Sequence, residues 1–266
     1  MEWKLKVSKI LHVYWGTDPL PFLRFNTVSS FLKLNPDWKI MLWVPKFPHS
    51  VVTWTTRELN YEKKWTDYLP DLLELPIEKT YFDMETIGIQ NNISEVHKSD
   101  FIRFWVLNKY GGVWSDMDIV YFKPMNEIYV NGTDKETYVC ISHYGHSNGF
   151  FMSAPGSEFF GNMFINAKKN WEPDKFQSNG PDACNKYYPT IESIPNACNL
   201  SMDVVYAHDG QHIPDLYNGS KGRFTDRSIG CHWYGGHPLS GEFLRNTDGG
   251  LVNLPNNIIG NLCKGL

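Results

Sequence analysis

The sequence predicts an α/β fold with a parallel sheet. Residues 9–44 pass from a buried apolar strand to an amphipathic helix and then to a second buried strand, which is how such folds open. The composition agrees, since 42% of the 266 residues are hydrophobic and 20% are charged, as in a globular protein. The length fits one large domain or two small ones and is ample for a packed core.

The opening elements can be located from the spacing of their apolar residues. Residues 9–15 (KILHVYW) predict a buried strand that ends in a Gly-Thr-Asp-Pro turn. Apolar residues then recur at helical spacing over residues 21–34, and Asn35-Pro36 ends this predicted helix. Residues 38–44 (WKIMLWV) predict the second strand. A less regular, helical insertion is expected over residues 50–80.

The clearest predicted helix covers about residues 93–110. Asn92 is expected to cap its N-terminus, with Glu95 as the capping-box partner. Gly111-Gly112 is expected to end the helix, because glycine is the usual residue at a helix C-terminus.

Asp100 and Arg103 stand three positions apart in this helix and therefore share one face. One interpretation is a surface ion pair worth about 0.2–0.5 kcal/mol. The apolar neighbours Phe101, Ile102 and Phe104 disfavour full exposure of the pair. A functional pair is therefore an equal alternative.

Two carboxylates follow the helix, at Asp116 and Asp118, with apolar residues on both sides. Residues 119–122 (IVYF) predict a strand directly after them. If the backbone is extended here, both carboxylates point the same way and need a positive partner, for which a divalent metal is the simplest choice. Oxygen ligands suit Mg²⁺ or Mn²⁺. The alternative is a polar turn between strands, because an isolated D-x-D triplet is a weak signal.

The rest of the chain continues the α/β pattern. Residues 148–152 predict a core strand with a polar start, residues 157–170 a helix, and residues 179–182 a turn that opens a short helix. Near the end, the segment CHWYGGHP contains His232 and His237 among aromatic residues and glycines. It is interpreted either as a contribution to a metal or phosphate site or as purely structural.

Composition excludes several classes of protein. The 25 basic residues against 29 acidic residues give a net charge of −4, which argues against a nucleic-acid-binding protein. The five cysteines are scattered and no CxxC occurs, which predicts free thiols and no structural zinc site. No stretch reaches the length of a membrane span, and residues 1–10 lack the features of a signal peptide. A cytoplasmic protein of bacterial or viral origin is therefore expected.

The segments occur in an order that resembles a known family. The signature is Ile10-x-His12-x-x-Trp15, then Asn35-Pro36-x-Trp38, then Asp100-x-x-Arg103-x-x-x-Leu107-x-x-x-Gly111-Gly112-x-Trp114-x-Asp116-x-Asp118. It resembles the DXD-containing sugar transferases of glycosyltransferase family 32. That family includes the yeast initiating α-1,6-mannosyltransferase and is related to the catalytic domains of the large clostridial glucosylating toxins. The resemblance covers about residues 8–240, and residues 94–124 are its most specific block.

The resemblance implies a GT-A fold, a single α/β domain over residues 1–266 with a mixed, mostly parallel central sheet. Residues 1–124 would form the nucleotide-binding half and residues 125–266 the acceptor-side half. It also implies a retaining, metal-dependent glycosyltransferase that moves a hexose from a nucleotide-sugar to a glycan or another hydroxyl acceptor. Mn²⁺ or Mg²⁺ would be its cofactor, and no nucleic acid or membrane span is expected.

The resemblance further implies the roles of individual residues. The nucleotide-binding residues would be Trp15 at the base, Trp114 beside the ribose, and Asp116. The metal ligands would be Asp116, Asp118 and His232. The donor sugar would be held by the catalytic pair Asp100 and Arg103 together with Asn148.

The C-terminal part of the pattern departs from the family. Relatives follow the late histidine with Gly-Ser-Trp, whereas this chain has Gly235-Gly236-His237. His237 is expected to replace the missing tryptophan near the leaving phosphate. Asn179 or Asp182 is a further candidate for the reacting face. The opening segment HVYWGTD looks more like the UDP-glucose users of the family, so a UDP-hexose is favoured over GDP-mannose as the donor.

Three other functions compete with a glycosyltransferase. A sugar nucleotidyltransferase normally carries a glycine-rich basic loop after the first strand, and HVYWGTDPLP has one glycine and no basic residue. A catalytically weak or inactive carbohydrate-binding homologue is favoured only by the altered segment after His232. A glycosidase needs two carboxylates roughly 5–10 Å apart across a cleft, a division of labour that the closely spaced Asp116 and Asp118 do not suit.

Overall fold

A computed structural model of the chain describes residues 3–16, 18–48, 65–247 and 254–265. These residues form nine strands and eight α-helices. The strands are β1 (Ile10–Tyr14), β2 (Lys39–Pro45), β3 (Glu78–Phe82), β4 (Gly112–Ser115), β5 (Ile119–Tyr121), β6 (Thr137–Ser142), β7 (Gly145–Ser153), β8 (Ala197–Asn199) and β9 (Gly230–His232). The helices are α1 (Phe22–Leu34), α2 (Leu69–Glu74), α3 (Glu95–Tyr110), α4 (Glu158–Asn170), α5 (Pro181–Tyr187), α6 (Ile213–Asn218), α7 (Pro238–Asn246) and α8 (Ile258–Lys264).

Seven strands form one sheet in the order β3-β2-β1-β4-β7-β6-β8. Strands β3, β2, β1 and β4 are parallel, β7 is antiparallel to both β4 and β6, and β8 is parallel to β6. The register pairs Val13 with Leu42 and His12 with Trp114. The predicted mixed, mostly parallel sheet is therefore confirmed.

The central strands are covered on both faces. Leu11 and Val13 of β1 pack in one cluster with Phe31 of α1. Tyr14, which points the other way from the same strand, packs with Phe104 of α3 and with residues of α4. The sheet thus lies between α1 on one side and α3 and α4 on the other, which explains why β1 and β2 have continuous rather than alternating apolar sequences.

Strands β5 and β9 form a second, two-stranded antiparallel sheet. Its register pairs Ile119 with His232 and Val120 with Cys231. This pairing brings a segment from near the end of the chain against the segment that directly follows β4. It is the contact through which the C-terminal part of the sequence reaches the carboxyl edge of the main sheet.

Most predicted elements are confirmed, with boundaries that shift by one to three residues. Helix α3 starts later than expected because Ser94, and not Asn92, is its N-cap; the Ser94 hydroxyl accepts a hydrogen bond from the His97 amide at 3.3 Å. Serine and asparagine cap helices about equally well, so the sequence offers two starts. Glu95 forms no capping box and instead accepts hydrogen bonds from Lys98 at 2.8 Å and from the Tyr14 hydroxyl.

Gly111-Gly112 ends α3 as predicted, and both residues have positive φ angles of 62° and 98°. A Cβ built at Gly112 would lie 2.5 Å from the Ile10 carbonyl oxygen. Only glycine permits both the backbone angle and this close approach to β1. The glycine pair therefore turns the chain directly from α3 into the middle of the sheet.

The expected insertion over residues 50–80 lies partly outside the described residues, which resume at residue 65. The described part contains the short helix α2 and then β3, a strand that the sequence does not predict. β3 (EKTYF) is the edge strand of the sheet and four of its five residues are not buried. Charged residues on an exposed edge conceal the apolar pattern by which strands are recognised.

All five cysteines are buried and free, as predicted. Among the residues described, no helix is both long enough and apolar enough to cross a membrane.

His12 is a fully buried imidazole in the centre of the sheet. Its Nδ1 accepts a hydrogen bond from the Trp43 indole at 3.1 Å, and its Nε2 lies 2.9 Å from the Gly111 carbonyl oxygen. One nitrogen must accept and the other must donate, so the ring is held in one neutral tautomer. Burial lowers the pKa of His12 to about 4, because a charged ring here would be desolvated and would place a proton against the indole N–H.

This shift predicts a specific dependence of stability on pH. The pKa of His12 falls from 6.5 in the unfolded chain to about 4 in the folded one, so its contribution is complete above pH 6.5 and is lost as the pH falls towards 4. The loss amounts to about 3 kcal/mol of unfolding free energy. Urea unfolding between pH 7.5 and 4.5 should show it, and His12→Gln should flatten the curve in this range.

His143→Gln is the matched control, because it removes an exposed histidine from the β6–β7 turn. Its unfolding free energy at pH 7.5 should lie within about 0.5 kcal/mol of that of the wild type. Equal curves for the wild type and His12→Gln would contradict the buried neutral histidine.

Candidate active site

The candidate site lies at the carboxyl ends of β1 and β4. These strands are parallel neighbours, so the residues that follow them meet at one edge of the sheet. Trp15 follows β1 and Asp116 follows β4. In open α/β sheets this edge, where strand order changes direction, is where ligands bind.

Asp116 and Asp118 lie in a turn between β4 and β5, and not on a continuous extended strand. The Asp116 amide donates to the Gly149 carbonyl oxygen at 2.7 Å, which holds the start of the turn against β7. The condition of an extended backbone is therefore not met, and the polar turn that was the alternative is present, followed by the predicted strand. The turn nonetheless brings the two carboxylates together.

Asp116, Asp118 and His232 converge at this turn. One ligand atom from each residue can be chosen so that all three lie within 4.8 Å of one another. His232 is delivered by β9, which pairs with β5. These are the three residues that the sequence analysis named as metal ligands.

Several polar atoms of this cluster have no hydrogen-bond partner among the residues that the structure describes. Asp118 Oδ1 lies 3.1 Å from His232 Nε2, but the pair does not have hydrogen-bond geometry, and Oδ1 has no other partner there. The buried Tyr206 hydroxyl beside them is also unpaired within the described ranges. Buried polar atoms without partners cost free energy, so atoms that converge in this way indicate a site for a ligand.

Gly149 borders the group formed by Asp116, Asp118 and His232, and its lack of a side chain leaves space for a ligand there. A Cβ built at Gly149 would lie 2.9 Å from the Tyr206 hydroxyl, 3.1 Å from Asp116 Oδ2 and 3.3 Å from His232 Nε2. Two carboxylates and one imidazole form a donor set that suits Mn²⁺ and, less strictly, Mg²⁺. The residues therefore fit the divalent cation that the family resemblance implies.

The electrostatics of Asp118 agree with this fit. Its side chain is buried, which by itself raises the pKa. The His232 imidazole, the nearby Arg24 guanidinium and the Gly235 amide, which donates to Oδ2 at 2.9 Å, outweigh burial and hold the pKa of Asp118 well below its usual range. The carboxylate is therefore charged and available as a ligand.

Asp100, Arg103 and Asp116 form a connected series beside the cluster. Arg103 forms an ion pair with Asp100 at 3.1 Å through one terminal nitrogen and donates to Asp116 Oδ1 at 2.9 Å through the other. Asp100 and Arg103 are only 4% and 5% exposed, which excludes the interpretation as a surface ion pair. The pair instead links helix α3 to the DXD turn.

Burial dominates the ionisation of this series. It raises the pKa of Asp100 to about 7, with Arg103 opposing the shift and Asp116 adding to it. Burial acts against the charge of Arg103, but Asp116 and Asp100 outweigh it, so the pKa of Arg103 is raised. A Cβ built at Gly180 would lie 2.6 Å from Asp100 Oδ2, so the turn before α5 closes directly over this carboxylate.

Two buried amides lie near the same pair. Asn148 Nδ2 contacts Cys184 Sγ at 3.7 Å, and burial raises the pKa of the Cys184 thiol to about 12, with the Asp100 charge as a further contribution. Asn179 donates to the His97 carbonyl oxygen at 3.0 Å. The Oδ1 atoms of both amides are buried without a partner in the described segments. Asp182, the other candidate, is exposed in the first turn of α5.

Trp114 is buried in strand β4. It is 1% exposed, its Nε1 donates to Asp116 Oδ1 at 2.8 Å, and Arg103 stacks over its ring at 5.1 Å. Arg103 covers one face of the ring, and the predicted contact of Trp114 with the ribose stays a prediction. Trp114 also orients the Asp116 carboxylate.

Trp15 is half-buried at the end of β1, and its indole N–H donates to the Asp18 carbonyl oxygen at 2.8 Å. Its exposure is compatible with the predicted contact with a base.

His237 lies at the N-terminus of α7, where its Nδ1 accepts from the Leu239 amide at 3.3 Å. Its predicted contact with a leaving phosphate stays a prediction.

The sequence analysis missed four residues of the site. Arg24 and Tyr206 add polar groups, and Gly149 and Gly235 leave the space in which those groups meet. Arg24 carries one signal that could have found it, since a basic residue in the first turn of a helix opposes the helix dipole. The other three reach the site through tertiary contacts that no local pattern encodes.

Two family models match the chain. One, described as a glycosyltransferase sugar-binding region containing the DXD motif, matches residues 21–133. The other, described as a capsular polysaccharide synthesis protein, matches residues 80–196. Both include the segment from Asp100 to Asp118.

Curated relatives include mannosyltransferases of yeasts. Inositol phosphoceramide mannosyltransferase 3 of Schizosaccharomyces pombe is 25% identical over 241 residues, or 86% of this chain and 56% of the relative. Inositol phosphoceramide mannosyltransferase 1 of the same yeast is 25% identical over 62% of this chain and 44% of its own length. The initiation-specific α-1,6-mannosyltransferase of Candida albicans is 30% identical over 34% of this chain and 24% of its own length. The chain thus spans about half the length of the relatives it matches, or less.

Solved structures show the same fold. The PaToxG glycosyltransferase superposes with a TM-score of 0.50 at 15% identity, over 69% of this chain and 70% of that chain. The bifunctional glycosyltransferase WbbM superposes with a TM-score of 0.51 at 11% identity, over 86% of this chain and 46% of that chain. The predicted GT-A fold and the resemblance to DXD-containing glycosyltransferases are confirmed, and with them the relationship to transferase enzymes.

The geometry predicts that Mn²⁺ binding depends on Asp118 and on the absence of a side chain at residue 149. Asp118→Ala removes a ligand, and Gly149→Ala places a methyl group between the other donors. Each should weaken Mn²⁺ binding by at least about tenfold. Electron paramagnetic resonance of free Mn²⁺, titrated with and without UDP, measures this affinity.

Gly210→Ala is the matched control, because a Cβ at Gly210 would meet no atom within 4 Å among the described residues. It should bind Mn²⁺ like the wild type. If Asp118→Ala and Gly149→Ala also bind Mn²⁺ like the wild type while remaining folded by circular dichroism, the cluster is not a metal site.

Proposed function

We propose that this chain is a retaining, metal-dependent glycosyltransferase that moves a hexose from a nucleotide-sugar to a glycan or another hydroxyl acceptor. The observation that carries the proposal is the convergence of Asp116, Asp118 and His232 directly beside the buried Asp100–Arg103 pair. A cation site with a buried carboxylate–guanidinium pair directly beside it suits transfer from a sugar diphosphate. The matched family model and the yeast relatives support the same class of reaction.

Asp118 and His232, with Asp116, would hold Mn²⁺ or Mg²⁺ in the proposed enzyme. When bound, such a cation neutralises the negative charge that develops on the departing nucleoside diphosphate. The protein's own contribution is to fix these ligands before the donor arrives. Trp114 and Arg103 both donate to Asp116 Oδ1, and the Gly235 amide holds Asp118, so neither carboxylate has to reorganise.

Asp100 and Arg103 would act on the donor sugar. As the bond from C1 to the diphosphate breaks, positive charge develops on the sugar ring. Asp100, held by Arg103 and covered by Gly180, offers a fixed carboxylate that accepts hydrogen bonds from sugar hydroxyls and stabilises this charge. The Oδ1 atoms of Asn148 and Asn179, which have no partner among the described residues, add two further acceptors near the same pair.

The family resemblance supports transfer with retention of the sugar's anomeric configuration. Asp100 is held in an ion pair with Arg103, which suits hydroxyl binding better than nucleophilic attack on the sugar. We therefore propose attack by the acceptor on the same face from which the diphosphate departs. The proposed division is a nucleotide-binding half over about residues 1–124 and an acceptor-side half over about residues 125–266.

Two observations bear on which nucleotide base the donor carries, and they favour different bases. The opening segment HVYWGTD resembles that of UDP-sugar users, and the half-buried Trp15 is placed at the carboxyl edge of the sheet, where it can stack on a base. The yeast relatives, in contrast, are named mannosyltransferases. We propose a UDP-hexose, with GDP-mannose as the donor to be compared with it.

A donor screen tests the proposed function. UDP-glucose, UDP-galactose and GDP-mannose are incubated with the chain and Mn²⁺, and released nucleoside diphosphate is measured. Release from at least one donor is expected with Mn²⁺ and should disappear with a chelator or in Asp118→Ala. Nuclear magnetic resonance of the transferred sugar then gives its anomeric configuration, for which retention is expected.

The same screen separates the competing functions. Nucleotide-sugar binding without any turnover, with acceptor sugars supplied, would favour an inactive carbohydrate-binding homologue. Formation of a nucleotide-sugar from a sugar phosphate and a nucleoside triphosphate would favour a nucleotidyltransferase. Turnover that is unaffected by the chelator would contradict metal dependence alone.

Asp100→Asn should reduce turnover much more than nucleotide binding. The variant keeps the shape of the side chain but removes the charge that favours a cationic ring, so its effect falls on the transition state. We expect kcat to fall about 100-fold, with UDP or GDP affinity changed less than about threefold. Steady-state kinetics and calorimetry on the same preparation measure the two effects.

Asp71→Asn removes an exposed carboxylate from α2 and serves as the control, with kcat expected to remain at the wild-type value. If Asp100→Asn kept wild-type kcat, the buried pair would have a structural role only.

A further inference from the structure

Arg24 occupies an unusual position for a cation. It is half-buried in the first turn of α1, and its guanidinium carbon lies 5.2 Å from the centre of the Trp15 ring and 5.3 Å from that of the Trp233 ring. Trp15 follows β1, whereas Trp233 follows β9 and is fully buried. Arg24 therefore connects two segments that are 218 residues apart in sequence at the carboxyl edge of the sheet.

The guanidinium also lies close to Asp118, one of the three candidate metal ligands. A Cβ built at Gly235 would be only 2.5 Å from Arg24 Nη2, and the Gly235 amide donates to Asp118 Oδ2 at 2.9 Å. Arg24 thus approaches the same main-chain segment that holds Asp118, and its charge is among those that lower the pKa of Asp118. The absence of a side chain at Gly235 is what permits this approach.

The position works against the helix in which Arg24 lies. The N-terminus of a helix carries partial positive charge, so a cation in the first turn is unfavourable. No acidic residue occupies the first turn of α1 to offset it. A basic residue retained at such a place increases the positive potential beside the cation cluster, which favours a polyanionic ligand there.

We propose that Arg24 binds the diphosphate of the nucleotide-sugar donor and stabilises it as the leaving group; this inference rests on the proposed function. A guanidinium stacks on aromatic rings through its faces and donates its five N–H groups in its plane, so it can contact both indoles and a phosphate at once. Arginine also binds phosphate with charge-assisted hydrogen bonds. Arg24 supplies positive charge near the leaving phosphate, where His237 was expected to replace the missing tryptophan.

Arg103 is not equivalent to Arg24. Its two terminal nitrogens are held by Asp100 and Asp116, and both carboxylates are near enough to raise its pKa. It therefore serves the donor sugar and the DXD turn. Arg24 instead lies beside Trp15 and Gly235, where the nucleotide portion of the donor is proposed to bind.

The test compares ligands that differ only in phosphate. Calorimetry in the presence of Mn²⁺ gives the affinities of the 266-residue chain for uridine, UMP and UDP, and for the guanosine series. Arg24→Met should weaken nucleoside diphosphate binding by about tenfold to a hundredfold and leave nucleoside binding within about twofold. Arg24→Lys keeps the charge without the planar donors and should fall between Arg24→Met and the wild type.

Lys33→Met is the matched control. It removes a positive charge from the same helix about 13 Å further along its axis, in the last turn. It should leave all affinities unchanged. Donor turnover should fall in Arg24→Met beyond the loss in affinity, because charge on the leaving diphosphate increases as the bond breaks.

Each result bears on the proposal in a defined way. Unchanged diphosphate affinity and turnover in both Arg24 variants would overturn it, and so would an equal loss for nucleoside and nucleoside diphosphate, which would mean that Arg24 only positions Trp15. If Arg24→Met melts below the assay temperature, Arg24→Lys decides by the same ratio. A wild-type chain that binds no nucleotide would overturn the proposed function and this inference together, whereas a wild type that binds and variants that do not differ would overturn this inference alone.

Discussion

The cost of burying charged carboxylates is the constraint on which the site depends. Asp100, Asp116 and Asp118 meet at the end of β4, where burial raises the pKa of Asp100, the Asp116 charge adds to that shift, and burial acts against the charge of Asp118. The protein supplies Arg103 between the first two and His232, Arg24 and the Gly235 amide around the third. A divalent cation held by Asp116 and Asp118 would neutralise the negative charge that these groups leave uncompensated.

That constraint explains features of the fold that otherwise look unrelated. β5 is only three residues long, yet its pairing with β9 delivers His232 to Asp118. Strand β7 extends past the end of β4 so that the Gly149 carbonyl oxygen accepts from the Asp116 amide. Helix α3 presents Asp100 and Arg103 towards the sheet, where Arg103 forms ion pairs both with Asp100 and with Asp116 at the sheet edge. The elements are arranged around charges as much as around the apolar core.

The sequence specified the local parts of this arrangement and not the distant ones. The segment from Asp100 to Asp118 could be predicted because its helix, glycine pair and DXD turn are contiguous, and each has a recognisable pattern. The burial of the Asp100–Arg103 pair could not be decided, since Asp116, which makes burial tolerable, contacts it only after folding. Asn92 and Ser94 are equivalent caps by type, and the charged edge strand β3 has no apolar alternation to reveal it. Trp114 matched an aromatic position of the family, but its burial follows from its place in the middle of the sheet.

The altered segment after His232 is the remaining departure from the family pattern, and the structure gives it a physical interpretation. With Gly-Gly-His in place of Gly-Ser-Trp, the chain loses two side-chain donors near the cluster. It keeps Gly235, whose amide holds Asp118 and whose missing side chain leaves room for the guanidinium of Arg24. The guanidinium of Arg24, which extends from α1, can therefore lie in the region where the hydroxyl and indole donors are missing. The departure removes two uncharged donors from this segment, and it does not leave Asp118 without compensation.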